Sequence, residues 1–228
     1  QVMSVAQSLY QAGHITYMRT DSINLSTEAL SAAKAVISKK YGKEYLPSSP
    51  RVYKSKTKNA QEAHEAIRPA GSTFVDPVKL KISLSDAEYK LYDLIWKRTV
   101  ASQMKSAKIL NTVVSIRADN CMFEAKGKAI EFEGFLSLYN ESSDSKNKTD
   151  DKTLPLLNKS EQVVFESIDG KQHFTKPIGR FTEASLVKEL DTLGIGRPST
   201  YATIIDKIQV RGYVNKVNGA MVPTFTAY

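Results

Sequence analysis

The chain has a single cysteine, Cys121, in 228 residues. That excludes a disulfide framework and a cysteine-rich zinc site, and it favours a reducing, cytoplasmic compartment. No apolar run approaches the ~18 residues of a membrane span, and no signal peptide is expected. The first residue is Gln1, not methionine, which reads as a truncated N-terminus. Acidic residues are in deficit, with 24 Asp+Glu against 32 Lys+Arg and a formal net charge of +8.

The excess is not spread evenly. Residues 1–105 hold 16 basic against 9 acidic side chains, residues 106–175 hold 9 against 11, and residues 176–228 hold 7 against 4. Two basic segments therefore flank a slightly acidic one, and a polyanion would engage the outer two. Hydrophobic residues make up 41%, enough for a real core.

Local patterns divide the chain in the same way. Val2, Ala6, Leu9 and Tyr10 recur at helical spacing before Gly13. Ile15 to Arg19 is β-branched and aromatic and reads as a strand. Ser26 predicts the cap of a helix through Lys40, with Leu30, Ala33 and Ile37 on one face and Gly42 just beyond. Residues 45–58 read as a basic loop, and Ala60 to Ile67 as a short helix closed by Pro69. Ser85 and Glu88 form a capping box before a helix ending near Met104, with Tyr92, Ile95, Trp96, Thr99 and Val100 as its buried stripe. The middle segment predicts strands over 109–116, 121–125 and 162–168, with a polar loop over 140–153. Thr182 predicts a helix through Leu193, Gly194-Ile195-Gly196 a break, and Ser199 the cap of a second helix through Val210. Asn218-Gly219 then joins two strands in a hairpin. Helix, glycine turn, helix and hairpin is the order of a winged helix-turn-helix, a common DNA-binding layout; an ordinary helical hairpin is the other reading.

The chemistry centres on Tyr17-Met18-Arg19. Residues two apart on a strand share a face, so Tyr17 and Arg19 point the same way. A free phenol ionises only near pH ~10 and is a poor nucleophile at neutral pH. A neighbouring guanidinium favours the phenolate and can hold a phosphate by two parallel hydrogen bonds. The pair suits covalent phosphoryl transfer, although taken alone such a pair is more often a packed ring and a surface charge.

Four ordered stretches carry a resemblance: Ile15-Thr16-Tyr17-Met18-Arg19-Thr20-Asp21-Ser22, Ala63-His64-Glu65-Ala66-Ile67-Arg68-Pro69, Leu94 to Met104, and Arg180 to Val187 with Gly194 to Ala202. Together they resemble the type IA DNA topoisomerases. Met18 points to the bacterial topoisomerase I branch, where topoisomerase III relatives usually have proline. The resemblance implies a multi-domain α and β fold. Its parts would be a helical catalytic-tyrosine domain over 1–105, a partial β arch over 106–177, and an incomplete, winged-helix-like helical DNA-binding domain over 178–228.

The resemblance also implies roles. Tyr17 would attack one DNA strand and keep its 5′-phosphate, Arg19 would position the scissile phosphate, and His64 would aid proton transfer or hydrogen bonding. Arg68, Arg180, Thr182, Arg197, Ser199, Thr200 and Arg211 would contact the DNA backbone. For Arg68 a structural ion pair is equally open, for Ser199 a helix cap. Glu65 reads as solvent-facing or ion-paired, and Asp21 as structural. The full-length enzyme would use Mg2+ held by an N-terminal domain missing from these 228 residues, and no metal ligand is expected within them. The implied partners are single-stranded and negatively supercoiled DNA and that missing domain, with no membrane, for a bacterial, cytoplasmic, nucleoid-associated monomer. The fragment alone is expected to be inactive. A non-catalytic winged-helix module, or a piece of a topoisomerase III or reverse gyrase, is the alternative.

Overall fold

The computed structural model describes residues 2–53, 65–139, 154 and 157–228. Four helices build the first part: α1 (Val2–Gln11), α2 (Thr27–Lys40), α3 (Pro77–Leu80) and α4 (Asp86–Ser102). The starts of α2, α3 and α4 follow from local chemistry. The Ser26 hydroxyl accepts from the Ala29 N–H, Asp76 accepts from Val78 ahead of Pro77, and Ser85 and Glu88 close a reciprocal capping box. Every such bond satisfies an N–H that has no partner inside the helix.

These helices enclose one core. Ala6 and Leu9 of α1, Ala29, Ala33 and Ile37 of α2, and Tyr92, Trp96 and Val100 of α4 pack with Ile15, Met18, Phe74 and Met104. The buried face of α2 is built mostly of alanine, with Ala29, Ala32 and Ala33 beside Ile37. The stripe of α1 is narrower than its spacing predicts: Val2 is 68% exposed, and Tyr10 turns outward.

The chain then enters a long antiparallel hairpin, β1 (Lys108–Ala118) and β2 (Cys121–Phe132), in register from Ala118↔Cys121 to Lys108↔Phe132 with an irregularity at Lys108/Ile109. The sequence predicts β2 only to Ala125. Gly127 and the charges of Lys126, Lys128 and Glu131 break its apolar pattern, but β1 pairs with it throughout. The hairpin is largely exposed: Leu110, Val113, Met122 and Ile130 are all more than half exposed, while Thr112, Val114 and Ile116, alternating along one face of β1, are half-buried. Residues 162–168, expected as a strand, are irregular and exposed, with Val164 at 91%. A strand exists only where its N–H and C=O groups find a partner. This segment reaches the flank of β1, where 157–163 and 112–117 line a cleft of about 740 Å3 without pairing.

The base of the hairpin is a close crossing. The outgoing chain at Lys105 meets the returning chain at Phe135, whose N–H donates to the Lys105 carbonyl at 3.0 Å. Gly134 sits there at φ +51, and a Cβ on it would lie 2.5 Å from Lys105 O and 2.6 Å from Ala107 N. Those atoms are backbone and have little room to yield. Gly134→Ala is expected to cost about 2–4 kcal/mol, from the left-handed backbone and the overlap together. Urea melts of the wild-type and variant proteins check it; a loss below about 0.5 kcal/mol would show that the crossing opens freely.

The last part holds α5 (Glu183–Thr192), α6 (Tyr201–Val210), and a short hairpin of β3 (Val214–Val217) and β4 (Ala220–Pro223). Thr182 and Ser185 cap α5 reciprocally, and Asn218 (φ 50) and Gly219 (φ 83) make the hairpin turn. Residue 182 also forms a bridge to Ala220, so the hairpin lies against the entry to α5. The expected Ser199 cap is displaced by one residue. Thr200 is the N-cap of α6, and its hydroxyl accepts from the Arg197 N–H at 2.8 Å instead of a helical N–H.

Candidate active site

Tyr17 stands on a segment that is laced to the chain around residue 68. Thr16 N–H donates to Arg68 O at 2.9 Å, Ala70 N–H donates to His14 O at 2.9 Å, and Ile15 bridges Pro69. The Thr16 hydroxyl donates to Ala66 O at 2.8 Å and accepts from Arg68 N–H at 2.9 Å. The expected strand over 15–19 is thus a single bridge at Ile15, because the partner chain turns away after Ala66. Ala66 instead donates to Asn24 O.

The alternation of the motif survives. Met18 is 6% exposed and joins the core, while Tyr17 and Arg19 on either side of it are exposed. Burying Met18 contributes about 1.5–3 kcal/mol and keeps its neighbours outward. The Tyr10 ring packs edge-on against Tyr17, with centroids 5.3 Å apart. Sequence spacing assigned Tyr10 to the core of α1; its position near the chain's most reactive candidate was not legible. Thr20 and Ser22 hold the turn that follows, each hydroxyl accepting from a backbone N–H two residues on.

Arg68 and Glu65 underpin the segment. Arg68 is 6% exposed. Its Nε and Nη2 donate to the Glu65 carboxylate at 2.7 and 3.0 Å, and its Nη1 donates to Pro69 O and Gly71 O. Glu65 in turn accepts from Ser26 N–H, the cap residue of α2. Of the two readings open for Arg68, the geometry supplies the ion pair; its guanidinium is engaged inside the protein rather than presented to solvent. Residues 65–67, expected to end a helix, are irregular, and the rest of that helix lies outside the described residues, as does His64.

The remaining candidates fall in two groups. Arg180 is exposed ahead of α5, and Thr182 is occupied as its cap. Arg197, Ser199 and Thr200 share the turn into α6 and are exposed. Arg211 is exposed beyond the far end of α6. Arg180 precedes α5, Arg197 follows it, and Arg211 follows α6, so these cations sit at the ends of the two helices.

Among the described residues no three His, Cys, Asp or Glu side chains converge as a metal site. The described residues therefore do not supply a Mg2+ ligand set. No described helix is long and apolar enough to cross a membrane.

A tyrosine and an arginine held outward on a braced segment, with exposed arginines at the ends of α5 and α6, are side chains of the kind that a phosphodiester-handling class of protein uses. Comparison with known proteins makes this specific. The sequence model of the DNA topoisomerase family matches residues 1–228, and the chain belongs to that family. It is 50% identical over 231 residues to DNA topoisomerase 1 of Synechococcus elongatus and 48% identical over 239 residues to that of Mycolicibacterium smegmatis. Each alignment covers the whole chain, which spans only 26% and 25% of those two proteins. The solved full-length topoisomerase I of Thermotoga maritima superposes with a TM-score of 0.77 at 33% identity, over 99% of this chain and 36% of that one.

Proposed function

We propose that this chain carries the strand-cleaving tyrosine of a bacterial type IA topoisomerase. The observation that carries the reading is the exposed Tyr17–Arg19 pair flanking the buried Met18, in a chain that belongs to the DNA topoisomerase family throughout its length. The Tyr17 oxygen attacks the phosphorus of one strand. A tyrosine-to-phosphorus bond forms, the bond from phosphorus to the 3′ oxygen breaks, and the leaving oxygen takes a proton. Arg19 holds the non-bridging oxygens as charge builds on them. Attack by the 3′ hydroxyl reverses the step and rejoins the strand. His64 is assigned a part in proton transfer or in hydrogen bonding at the site. Arg180, Thr182, Arg197, Ser199, Thr200 and Arg211 are assigned to the DNA backbone, which they position without reading sequence.

In this reading residues 1–105 form the tyrosine domain, 106–177 part of the arch, and 178–228 part of a winged-helix-like DNA-binding domain. Mg2+ would be held by another part of the full-length protein, and the 228 residues alone would not relax supercoiled plasmid. The full-length enzyme would relax negatively supercoiled DNA.

The test is covalent trapping by the full-length protein on single-stranded DNA labelled at either end. After denaturation, label from the 3′ end is expected to remain on the protein and to map to the peptide containing Tyr17, while 5′ label is released. Label retained from the 5′ end would reverse the polarity. Binding without any adduct would leave a DNA-binding module.

A further inference from the structure

The turn between α5 and α6 contains one side-chain contact that helix packing alone does not demand. The Tyr201 hydroxyl donates to Asp191 Oδ1 at 2.9 Å, from the first turn of α6 to the last turn of α5. The backbone between them has unusual freedom, with Gly194 at φ +71 and Gly196 at φ +81. The Tyr201 ring closes over Gly196, where a Cβ would lie 3.2 Å from Tyr201 Cε1 and 3.0 Å from Ile204 Cδ1. The next residue is Arg197. Its N–H is held by Thr200 Oγ1, and its Nη1 donates to Gly196 O at 3.0 Å.

The Tyr201 phenol thus bonds the Asp191 carboxylate within the same turn that carries the Arg197 guanidinium. Asp191 and Arg197 are both exposed, and both act electrostatically on Tyr201. Burial first, then the bond and charge of Asp191, push the phenol up to about 12 against the opposing effect of Arg197. A tyrosine hydroxyl is protonated at physiological pH with or without this shift, and here its proton points to Asp191. It holds Asp191 by a charge-assisted bond, worth roughly twice a neutral one.

We propose that Tyr201 is a positioning residue: it holds the Asp191 carboxylate away from Arg197 and so keeps the Arg197 guanidinium available to a DNA phosphate. An unrestrained Asp191, four residues from the turn's flexible centre, would pair with Arg197 and set a negative charge where the strand must lie. The inference rests on the reading of Arg197 as a DNA-backbone contact.

The experiment compares four variants of the full-length protein for equilibrium binding of a single-stranded oligonucleotide across a salt series. Arg197→Ala tests the underlying reading and is expected to weaken binding roughly tenfold, with a salt slope shallower by about 0.7 for one lost phosphate contact. Tyr201→Phe, which keeps the ring over Gly196, is expected to reproduce most of that loss and the same change of slope. Asp191→Asn is expected to bind at least as well as wild type. Tyr201→Phe with Asp191→Asn is expected to return to within about twofold of wild type, since no carboxylate remains to capture Arg197. Thermal melts of each variant accompany the binding. If Arg197→Ala has no effect, the reading of Arg197 fails. If Arg197→Ala weakens binding but Tyr201→Phe does not, the positioning role is overturned. Weak binding by Tyr201→Phe that Asp191→Asn fails to rescue also overturns it, because the hydroxyl would then serve only packing.

Discussion

Tyr17→Phe in the full-length protein is expected to abolish the covalent protein–DNA adduct while leaving DNA binding within about twofold. The loss should be on the order of 10,000-fold or more, since no other atom can take over the covalent bond. The substitution removes one oxygen from a side chain that is 40% exposed. The ring keeps its edge-on contact with Tyr10, and Met18 keeps its place in the core. A stability change should therefore be small. Tyr10→Phe is the matched control: it retains the same ring contact and is expected to trap DNA normally. Adduct persisting in Tyr17→Phe would move the nucleophile elsewhere.

The second large effect is on the scaffold. Arg68→Ala is expected to cost about 3–5 kcal/mol, the range for breaking a buried ion pair and stranding its partner. Arg68 has a side chain only 7% exposed, and Glu65 one that is 25% exposed. Removing the guanidinium leaves Glu65 facing the cap of α2 and frees Pro69 O and Gly71 O. Since Arg68 shares its backbone bonds with Thr16, the loosening reaches Tyr17 directly. Arg68→Lys keeps the charge but not the planar fork, and is expected to lose an intermediate amount.

The same pair sets an acid limit. Burial raises the Glu65 carboxyl, but hydrogen bonds from Arg68 and Ser26 and the Arg68 charge outweigh it, and the net shift is downward. A depressed folded value contributes stability above the ordinary carboxylate range, and that contribution is lost as pH falls through the folded value. Wild-type stability should therefore fall on acidification below about pH 4.5, and Arg68→Ala should lose part of that dependence. Urea melts at pH 7 and pH 3.5 measure both; equal acid slopes would separate Glu65 from the effect.

The features that were legible in the sequence are those whose bonds close within a few residues. Ser26, the Ser85–Glu88 box, Thr182 and the Asn218-Gly219 turn each satisfy backbone groups locally, so spacing suffices to find them. The features that were not legible need a distant partner. Residues 162–168 have a strand's composition and no ladder. The second half of β2 lacks the composition and has one. Tyr17 and Arg19 were legible as outward neighbours because a single buried methionine sets their alternation, even though the strand itself shrinks to one bridge. The burial of Arg68 was not, since nothing in an i, i+3 spacing reveals that the loop folds over it. Asp191 and Tyr201 were equally hidden: their contact spans a turn whose path depends on two glycines in left-handed conformations.

The hairpin of β1 and β2 has a mechanical meaning. Its 11 paired positions give a strut roughly 36 Å long, with its root pinned where Gly134 crosses the Lys105 carbonyl. A rod of that length turns a small rotation at its root into a large sweep at its tip, roughly 6 Å for every ~10°. Any element seated near Asp119 and Asn120 would travel ångströms while the atoms around Gly134 shift by tenths.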